Sequence, residues 1–204
     1  MASWVMSVFS DRSATIMMAL FKSMVRSKVE YCCPVWSPSK VGDIQEIEKI
    51  QRNFTRRING CKTLNYWERL TKLKILSLQR RRERYMIIHV WKILHGHAPN
   101  DIGMEFQQQH RRGVKAIVPL FRNAAQKSVS TVYDNSFGIK AARLWNILPQ
   151  DVNKQTDLGP FKVELGKFMD RYPDNPPVKG YATVNDNSLL EWSSQRGETS
   201  GGRT

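Results

Sequence analysis

The chain has 204 residues, of which 41% are hydrophobic, and a formal net charge of +14. This length allows one domain or two small ones, and this share of hydrophobic residues excludes a wholly disordered chain. So large a positive excess repels itself unless a partner screens it, which favours nucleic acid, acidic protein or anionic lipid as the partner class.

The cysteines and the apolar runs point to the cell compartment. Cys32, Cys33 and Cys61 are an odd and sparse set, which favours reduced thiols inside the cell over a secreted disulfide scaffold. The first residues lack the basic start and apolar length of a signal peptide. No apolar run approaches the roughly 20 residues of a membrane span. We therefore expect a soluble protein without a membrane partner, in the cytosol or the nucleus.

The first predicted helix covers residues 14–31, with Ser10 or Ser13 as its N-cap. It is apolar over most of its circumference, so we expect it to be mostly buried. A narrow polar strip is the exception, formed by Lys22, Ser23, Arg26 and Ser27.

The second predicted helix runs from about Asp43 to Asn59 and has two distinct faces. Gly60 follows where a left-handed residue commonly ends a helix. The apolar residues recur at helical spacing on one face: Ile44, Ile47, Ile50, Phe54 and Ile58. The opposite face carries Lys49, Arg52 and Arg56 at positions i, i+3 and i+7. A short third helix through Lys74 follows, because Asn65 with Glu68 three residues later is typical of a capping box.

The segment "SLQRRRERYMIIHVWKILHG" predicts a fourth helix, which Ser77 caps and Gly96 ends. On a helical wheel its polarity divides along the axis, since basic residues surround the first turns and apolar residues surround the rest. We therefore expect the C-terminal half to be buried and the N-terminal half to stand in solvent. The basic residues are Arg80, Arg81, Arg82 and Arg84.

The C-terminal part is more mixed. Residues 99–109 are loop-like, and the β-branched runs at 115–121 and 128–133 predict a hairpin. Helical periodicity returns in residues 136–149 and again from about Leu158 to Arg171. Residues 173–204 are rich in Pro, Asn, Ser and Gly. They predict a tail without fixed structure that is removable with little loss of stability, unless Leu189, Leu190 and Trp192 dock as a clip.

These elements predict a mainly α fold, a helical bundle with a possible short β-hairpin and a disordered C-terminal tail. The predicted domains are residues 1–98, a helical domain, residues 99–172, an extension with a hairpin and two helices, and the tail 173–204. The predicted core consists of Ile44, Ile47, Phe54, Trp91, Leu94, Leu144, Trp145, Phe161 and Phe168.

No residue pattern predicts catalysis. The chain contains no Asp-Asp pair of the kind that two-metal nucleotidyl transfer uses, no Gly-rich phosphate loop and no G-x-S-x-G. His95 and His97 flank Gly96, but no cysteine pair has zinc-site spacing. We therefore predict no catalytic residue, no metal site and no cofactor.

The positive charge is concentrated in the middle of the chain. Residues 49–84 hold twelve Lys or Arg against two Glu. Tyr66, Trp67 and Tyr85 lie between the basic residues, a mixture that suits phosphate contacts with neighbouring aromatic packing. A basic surface that only keeps the protein soluble is the simpler alternative. Contact with nucleic acid is favoured, because clustered charge of one sign is unfavourable without a partner.

Three segments in this order resemble one family. They are "LFKSMVRSKVEYCCPVWSP", "IEKIQRNFTRRINGCKTLNYWERLTKLKILSLQRRRERYMIIHVWKILHG" and "FGIKAARLWNILPQDV". The chain resembles LINE-type reverse transcriptases of non-LTR retrotransposons, of the jockey and chicken-repeat groups. The resemblance covers nearly the whole chain and corresponds to the region after the polymerase palm.

The resemblance implies a helical thumb that binds the template–primer duplex, which is an RNA or RNA–DNA duplex, without sequence specificity. It also implies a neighbouring palm domain that this chain lacks. Both active sites of the parent RNA-directed DNA polymerase would then be missing. The chain departs from some relatives in having no C-terminal Cys/His zinc knuckle. The implied phosphate-binding residues are Lys49, Arg52, Arg56, Arg57, Arg80, Arg81, Arg82 and Arg84. A basic helical module that docks an acidic protein, and a host-adopted nucleic-acid-binding protein, are the alternatives.

Overall fold

The computed structural model of the protein describes residues 2–109, 113–118, 134–174 and 187–193. The chain forms two compact units. Unit 1 comprises Met1–Arg82 and Asp174–Asn187, and unit 2 comprises Glu83–Pro173 and Ser188–Thr204. These units have other bounds than the domains predicted from the sequence, which stay a prediction.

The described residues are mainly helical, as the sequence predicted, and include one short hairpin. The elements are α1 (Ala2–Val8), α2 (Ala14–Leu20), a π-helical segment (Phe21–Arg26), α3 (Ser27–Val29), α4 (Cys33–Trp36), α5 (Val41–Thr55), α6 (Tyr66–Leu73), α7 (Leu78–Leu94), β1 (Phe106–Gln109), β2 (Gly113–Ala116), α8 (Phe137–Asn146), α9 (Gln150–Asn153) and α10 (Leu158–Met169).

The first predicted helix is present as α2, the π-helical segment and α3, which follow one another without a break. Part of its apolar face lies in the core of unit 1, but Ile16 is 42% exposed and Tyr31 is 75% exposed, so the expectation of a mostly buried helix is too strong. In the predicted polar strip, Lys22, Ser23 and Ser27 are exposed and Arg26 is half-buried. Ser13 stands at the N-cap position without a side-chain cap bond. The buried residues of this helix are Met17, Met18, Phe21 and Val25.

Helix α5 packs its apolar face into the same core. Phe54 is buried, and its ring centroid lies 4.9 Å from that of Phe21. Ile44 is buried as predicted, whereas Ile47 is only half-buried. The helix ends at Thr55, earlier than the predicted Asn59, because Ile58 donates its N–H to the carbonyl of Thr55 and tightens the turn. Gly60 then takes the left-handed conformation, with φ of 72°, as predicted.

Local capping signals are confirmed in two places. At the start of α6, Glu68 donates its N–H to the Asn65 side chain at 3.0 Å, and Asn65 donates its N–H to the Glu68 carboxylate at 2.8 Å. At the start of α7, the Ser77 hydroxyl accepts the N–H of Arg80 at 3.2 Å. Gly96 has φ of 71° after the last turn of α7. The signals for both helix starts and for the end of α7 therefore hold.

Unit 2 is built around aromatic side chains. The ring centroid of Phe161 lies 5.5 Å from Trp91 and 6.1 Å from Trp145. These three residues, with Leu144 and Phe168, are buried as predicted. Leu94 is only half-buried, so that core prediction is too strong.

The hairpin pairs β1 with β2 in antiparallel register, with Phe106 opposite Ala116 and Gln109 opposite Gly113. The predicted loop at 99–109 is therefore wrong for its last four residues. On the other edge of β2, the Asn146 amide bonds to both the N–H and the C=O of Ala116 at 2.9 Å. The predicted partner strand at 128–133 lies outside the described residues.

Part of the predicted tail has definite contacts. Residues 175–186 and 194–204 lie outside the described residues, so the prediction of a disordered tail is not tested there. In unit 1 the Asp174 carboxylate accepts the Ser77 N–H at 2.5 Å, and Asn187 is buried. In unit 2 Leu189 is buried and donates its N–H to Glu83 at 3.0 Å. The C-terminal clip, which the sequence suggested as an exception, is present.

Candidate nucleic-acid interface

Three of the predicted phosphate-binding residues stand in solvent. Lys49, Arg56 and Arg57 are exposed, and Arg52 is half-buried. Lys49 lies 3.3 Å from the Glu46 carboxylate, in an exposed ion pair. The second half of α5 and the turn after it therefore present a basic surface in unit 1.

The turn after α5 is fixed by what it buries. Ile58 and Cys61 lie in the core of unit 1, and Cys61 donates its N–H to the Ile58 carbonyl at 3.0 Å. With these two side chains turned inward, Arg56 and Arg57 are left on the outside of the turn. The left-handed Gly60 completes it, at a backbone conformation that side-chain-bearing residues rarely adopt.

Three further cations extend this surface: Lys62, Lys72 and Lys74, all exposed. Lys72 donates its ammonium to the Gly60 carbonyl at 2.7 Å, which places the C-terminal half of α6 beside the turn. These lysines belong to the basic stretch of residues 49–84 but are not among the phosphate-binding residues predicted from the sequence. The Asn65–Glu68 capping box was the signal that could have indicated them, because it predicts the short helix α6, which carries Lys72 back toward the turn. We call these three lysines with Lys49, Arg52, Arg56 and Arg57 the α5–α6 basic surface.

Arg69 lies beneath this surface and belongs to the fold. It is buried, and its guanidinium donates to Thr55 Oγ1 at 3.2 Å, to the Leu64 carbonyl at 2.6 Å and to the Arg52 carbonyl at 3.3 Å. Burial lowers the pKa of Arg69, although Tyr66 and Cys61 raise it, and the positive charges of Arg56 and Arg52 lower it further. The end of α5 is therefore a place where positive charges lie close enough to oppose one another.

The predicted cluster at residues 80–84 is in a different environment, and its expected exposure is wrong. Arg80 is 1% exposed and Arg82 is 3% exposed. Arg80 donates its Nε–H to the Asn187 carbonyl at 2.6 Å. A side chain with so little solvent contact has no free face for a phosphate in this structure.

Arg81 and Arg84 are half-buried and bonded as well. In unit 1, Arg81 forms a two-pronged ion pair with Glu30, with Nη2 at 2.9 Å from Oε2 and Nε bonded to Oε1. Arg26 approaches the same carboxylate at 3.7 Å. In unit 2, Arg84 donates Nη2 to the Lys162 carbonyl at 3.0 Å. All four arginines therefore have roles in the packing of their own units.

A buried carboxylate explains why the start of α7 lies inside. Glu48, from α5, accepts the N–H groups of Leu78 at 3.1 Å and Gln79 at 3.3 Å, and it also accepts the Tyr66 hydroxyl. Burial raises the pKa of Glu48, and the charge of Asp174 raises it further, while the hydrogen bonds from Tyr66 and Leu78 and the charge of Arg82 lower it. A negative group suits the positive end of a helix dipole, and a buried cation nearby suits a buried carboxylate. The charges at the start of α7 are thus compensated from within the protein.

The described residues hold no group of three or more His, Cys, Asp or Glu side chains placed to bind a metal ion. None of the helices in the described ranges has the length and apolarity to cross a bilayer. No protein-family model matches the chain, no curated protein matches it, and no solved structure matches it. The resemblance to LINE-type reverse transcriptases therefore stays a prediction, and the chemistry of the site has to be argued from its own residues.

Proposed function

We propose that the protein is a non-catalytic part of a LINE-type reverse transcriptase that binds the backbone of an RNA or RNA–DNA duplex without sequence specificity. The α5–α6 basic surface forms the binding face. The observation that carries this proposal is the unbalanced charge of this surface. Residues 49–74 include seven Lys or Arg that are exposed or half-buried, and the only acidic residue in this range is Glu68.

The physical argument is electrostatic. Several cations on one face repel one another in the free protein, and phosphates relieve that repulsion while releasing counterions. Contacts from lysine and arginine to phosphates fix the position of a duplex and read no base sequence. With about four to six phosphates contacted, the affinity should fall with a log–log salt slope of roughly −4 to −5.

The proposal includes no reaction. The family's polymerase chemistry requires paired aspartates in the palm, and the resemblance aligns this chain with the region after the palm. We therefore expect the purified chain to incorporate no nucleotides on a primed RNA template with magnesium or manganese. Template-dependent extension by a preparation free of other polymerases would contradict this.

A protein-docking function is the second candidate, and one observation favours it. Tyr31 is 75% exposed and Val35 is 86% exposed, so unit 1 presents large apolar side chains to solvent. Large apolar side chains in solvent suit a contact with another protein better than a contact with phosphates. The resemblance implies a palm domain as that partner, whereas the basic surface alone would suit an acidic protein.

The test measures binding of a short RNA–DNA duplex by fluorescence anisotropy over a series of salt concentrations. The variant Arg56→Gln/Arg57→Gln/Lys62→Gln removes three charges from the α5–α6 basic surface. The matched control Lys115→Gln/Lys154→Gln/Lys162→Gln removes three charges from exposed positions of unit 2. Both variants lower the net charge equally, so a difference between them reports the location of binding.

We expect the first variant to bind at least tenfold more weakly at low salt, with a slope smaller by about three, and the control to bind nearly as the unchanged protein. Equal losses in the two variants would show that net charge alone matters. Failure to bind any duplex at low salt, together with binding of an acidic protein, would favour the docking function instead.

A further inference from the structure

Arg52 differs from the other cations of the α5–α6 basic surface because an aromatic ring holds it. Its guanidinium carbon lies 5.1 Å from the centroid of the Tyr66 ring, in a cation–π contact. Lys49, Arg56 and Arg57 are exposed, so their side chains retain more freedom than Arg52. Arg52 is therefore the arginine whose orientation is set before any ligand arrives.

Tyr66 is itself held on its polar end. Its ring is buried at the first position of α6. Its hydroxyl donates to the Glu48 carboxylate and accepts from Gln51 Nε2 at 3.0 Å. Gln51 Nε2 also donates to the Leu76 carbonyl at 3.1 Å. The ring beneath Arg52 is thus fixed by a buried network that reaches across unit 1.

A second guanidinium constrains the same ring from α6. The guanidinium carbon of Arg69 lies 5.7 Å from the Tyr66 centroid, and its donors are already bonded to Thr55 and to two carbonyls. By contrast, the Nε–H of Arg52 is buried and has no acceptor within the described part of the chain. A buried Nε–H is out of reach of a ligand, so a phosphate contact would use the terminal Nη nitrogens of the guanidinium.

We propose that Tyr66 is a positioning residue that holds Arg52 ready to bind one backbone phosphate of the nucleic acid. This role rests on the proposed function, since it names the contact by which the same surface recognises its ligand. A planar guanidinium binds two phosphate oxygens at once, which lysine cannot do. Because Arg52 is already ordered by the ring, the rotamer freedom of its side chain is lost on folding and not on binding.

The test is a double-mutant cycle on binding of the RNA–DNA duplex, with Tyr66→Leu and Arg52→Gln alone and together. Tyr66→Phe is the matched control, because it keeps the ring under Arg52 and removes only the hydroxyl. We expect Tyr66→Leu and Arg52→Gln each to weaken binding about tenfold, as for one charge-assisted contact, and the double variant to bind no more weakly than Arg52→Gln. We expect Tyr66→Phe to bind within about twofold of the unchanged protein, with lower stability.

A merely structural Tyr66 would give multiplied losses in the double variant, and that result would overturn the proposal.

Arg52→Lys gives a second test that does not disturb the core: it keeps the charge, and we expect it to lose most of the affinity that Arg52→Gln loses. If Tyr66→Leu does not fold, Arg52→Lys decides, and binding by Arg52→Lys that equals that of the unchanged protein would overturn the proposal. If the unchanged protein binds but the Arg52 variants match it, only this inference fails. If the unchanged protein binds no duplex, the proposed function fails with it.

Discussion

Two stretches of unit 1 carry three arginines each, Arg52, Arg56 and Arg57 in one and Arg80, Arg81 and Arg82 in the other. The arginines of the first stretch are exposed or half-buried, and the stretch ends in a turn whose apolar residues face inward. The second is buried or half-buried, and Arg81 is paired with Glu30. Arginine density therefore says little about a binding surface, because carboxylates elsewhere in the chain decide which arginines remain available for a phosphate.

The difference has a thermodynamic consequence for the two groups. An arginine that stands in solvent keeps its hydration, so its replacement changes little in the folded state. An arginine that is fully buried has lost that hydration, and its hydrogen bonds and contacts with neighbours have to compensate. The first group is therefore expected to govern binding and the second group to govern stability.

The largest expected effect is the loss of stability in Arg80→Ala. The change leaves a cavity and deprives the Asn187 carbonyl of its donor, so the free energy of unfolding should fall by roughly 2–5 kcal/mol. Arg56→Ala is the matched control and should change it by less than about 0.5 kcal/mol. Urea-induced unfolding measures both. Similar small losses in the two variants would contradict the assignment of Arg80 to the interior.

The next effect concerns the C-terminal residues, of which Asp174 bonds to Ser77 within unit 1 and Leu189 bonds to Glu83 within unit 2. Ending the chain after Pro173 removes the cap that Asp174 provides and the buried side chain of Leu189. Together these should lower the free energy of unfolding by about 2–4 kcal/mol. Ending the chain after Ser193 keeps the described contacts and serves as the control. Equal thermal midpoints for the first truncation and the full chain would show that the clip contributes nothing.

The sequence was informative where the physical cause is local. The Asn65–Glu68 capping box, the Ser77 cap and the left-handed Gly60 each depend on residues within a few positions, and all three were predicted. The helical periodicity of α5 likewise placed Phe54 in the core.

The sequence was misleading where the cause lies far along the chain. The groups that bring the start of α7 inside are Glu48, 30 residues from Leu78, and Asp174, 97 residues from Ser77. No local pattern connects such residues. Four arginines in one short stretch were therefore interpreted as a solvated surface. The strand β1 was missed for a different reason: its partner β2 is only four to ten residues away, but "FQQQ" contains none of the β-branched residues that mark a strand in a sequence.

A smaller effect is expected in the pH dependence of stability, through Glu48, the buried carboxylate that bonds to the start of α7. Burial holds the pKa of Glu48 above its ordinary value, so the folded chain keeps this proton to higher pH than the unfolded chain does. Stability from this group is thus fully present below the ordinary pKa and falls as the pH rises from there toward the folded pKa.

Glu48→Gln should remove this decline, while Glu46→Gln, which changes an exposed carboxylate, should leave it. Unfolding free energies measured between about pH 5 and pH 7 test the difference in slope. Identical slopes in the unchanged protein and in Glu48→Gln would show that Glu48 is not the titrating group. The buried acid would then have less influence on α7 than its hydrogen bonds indicate.

The smallest effect is expected at the exposed ion pair between Glu46 and Lys49, where the nitrogen and oxygen lie 3.3 Å apart. Glu46→Gln should change the free energy of unfolding by less than about 0.5 kcal/mol, since exposed pairs are worth little. It should also strengthen duplex binding roughly twofold at low salt, because a negative charge beside the surface is removed, and the gain should vanish as salt screens it. Glu30→Gln is the contrasting change: it breaks the half-buried pair with Arg81 and should lower the free energy of unfolding by about 1–3 kcal/mol without improving binding. A gain in affinity from Glu30→Gln that equals the gain from Glu46→Gln would mean that the arginines of α7 are available to the duplex after all.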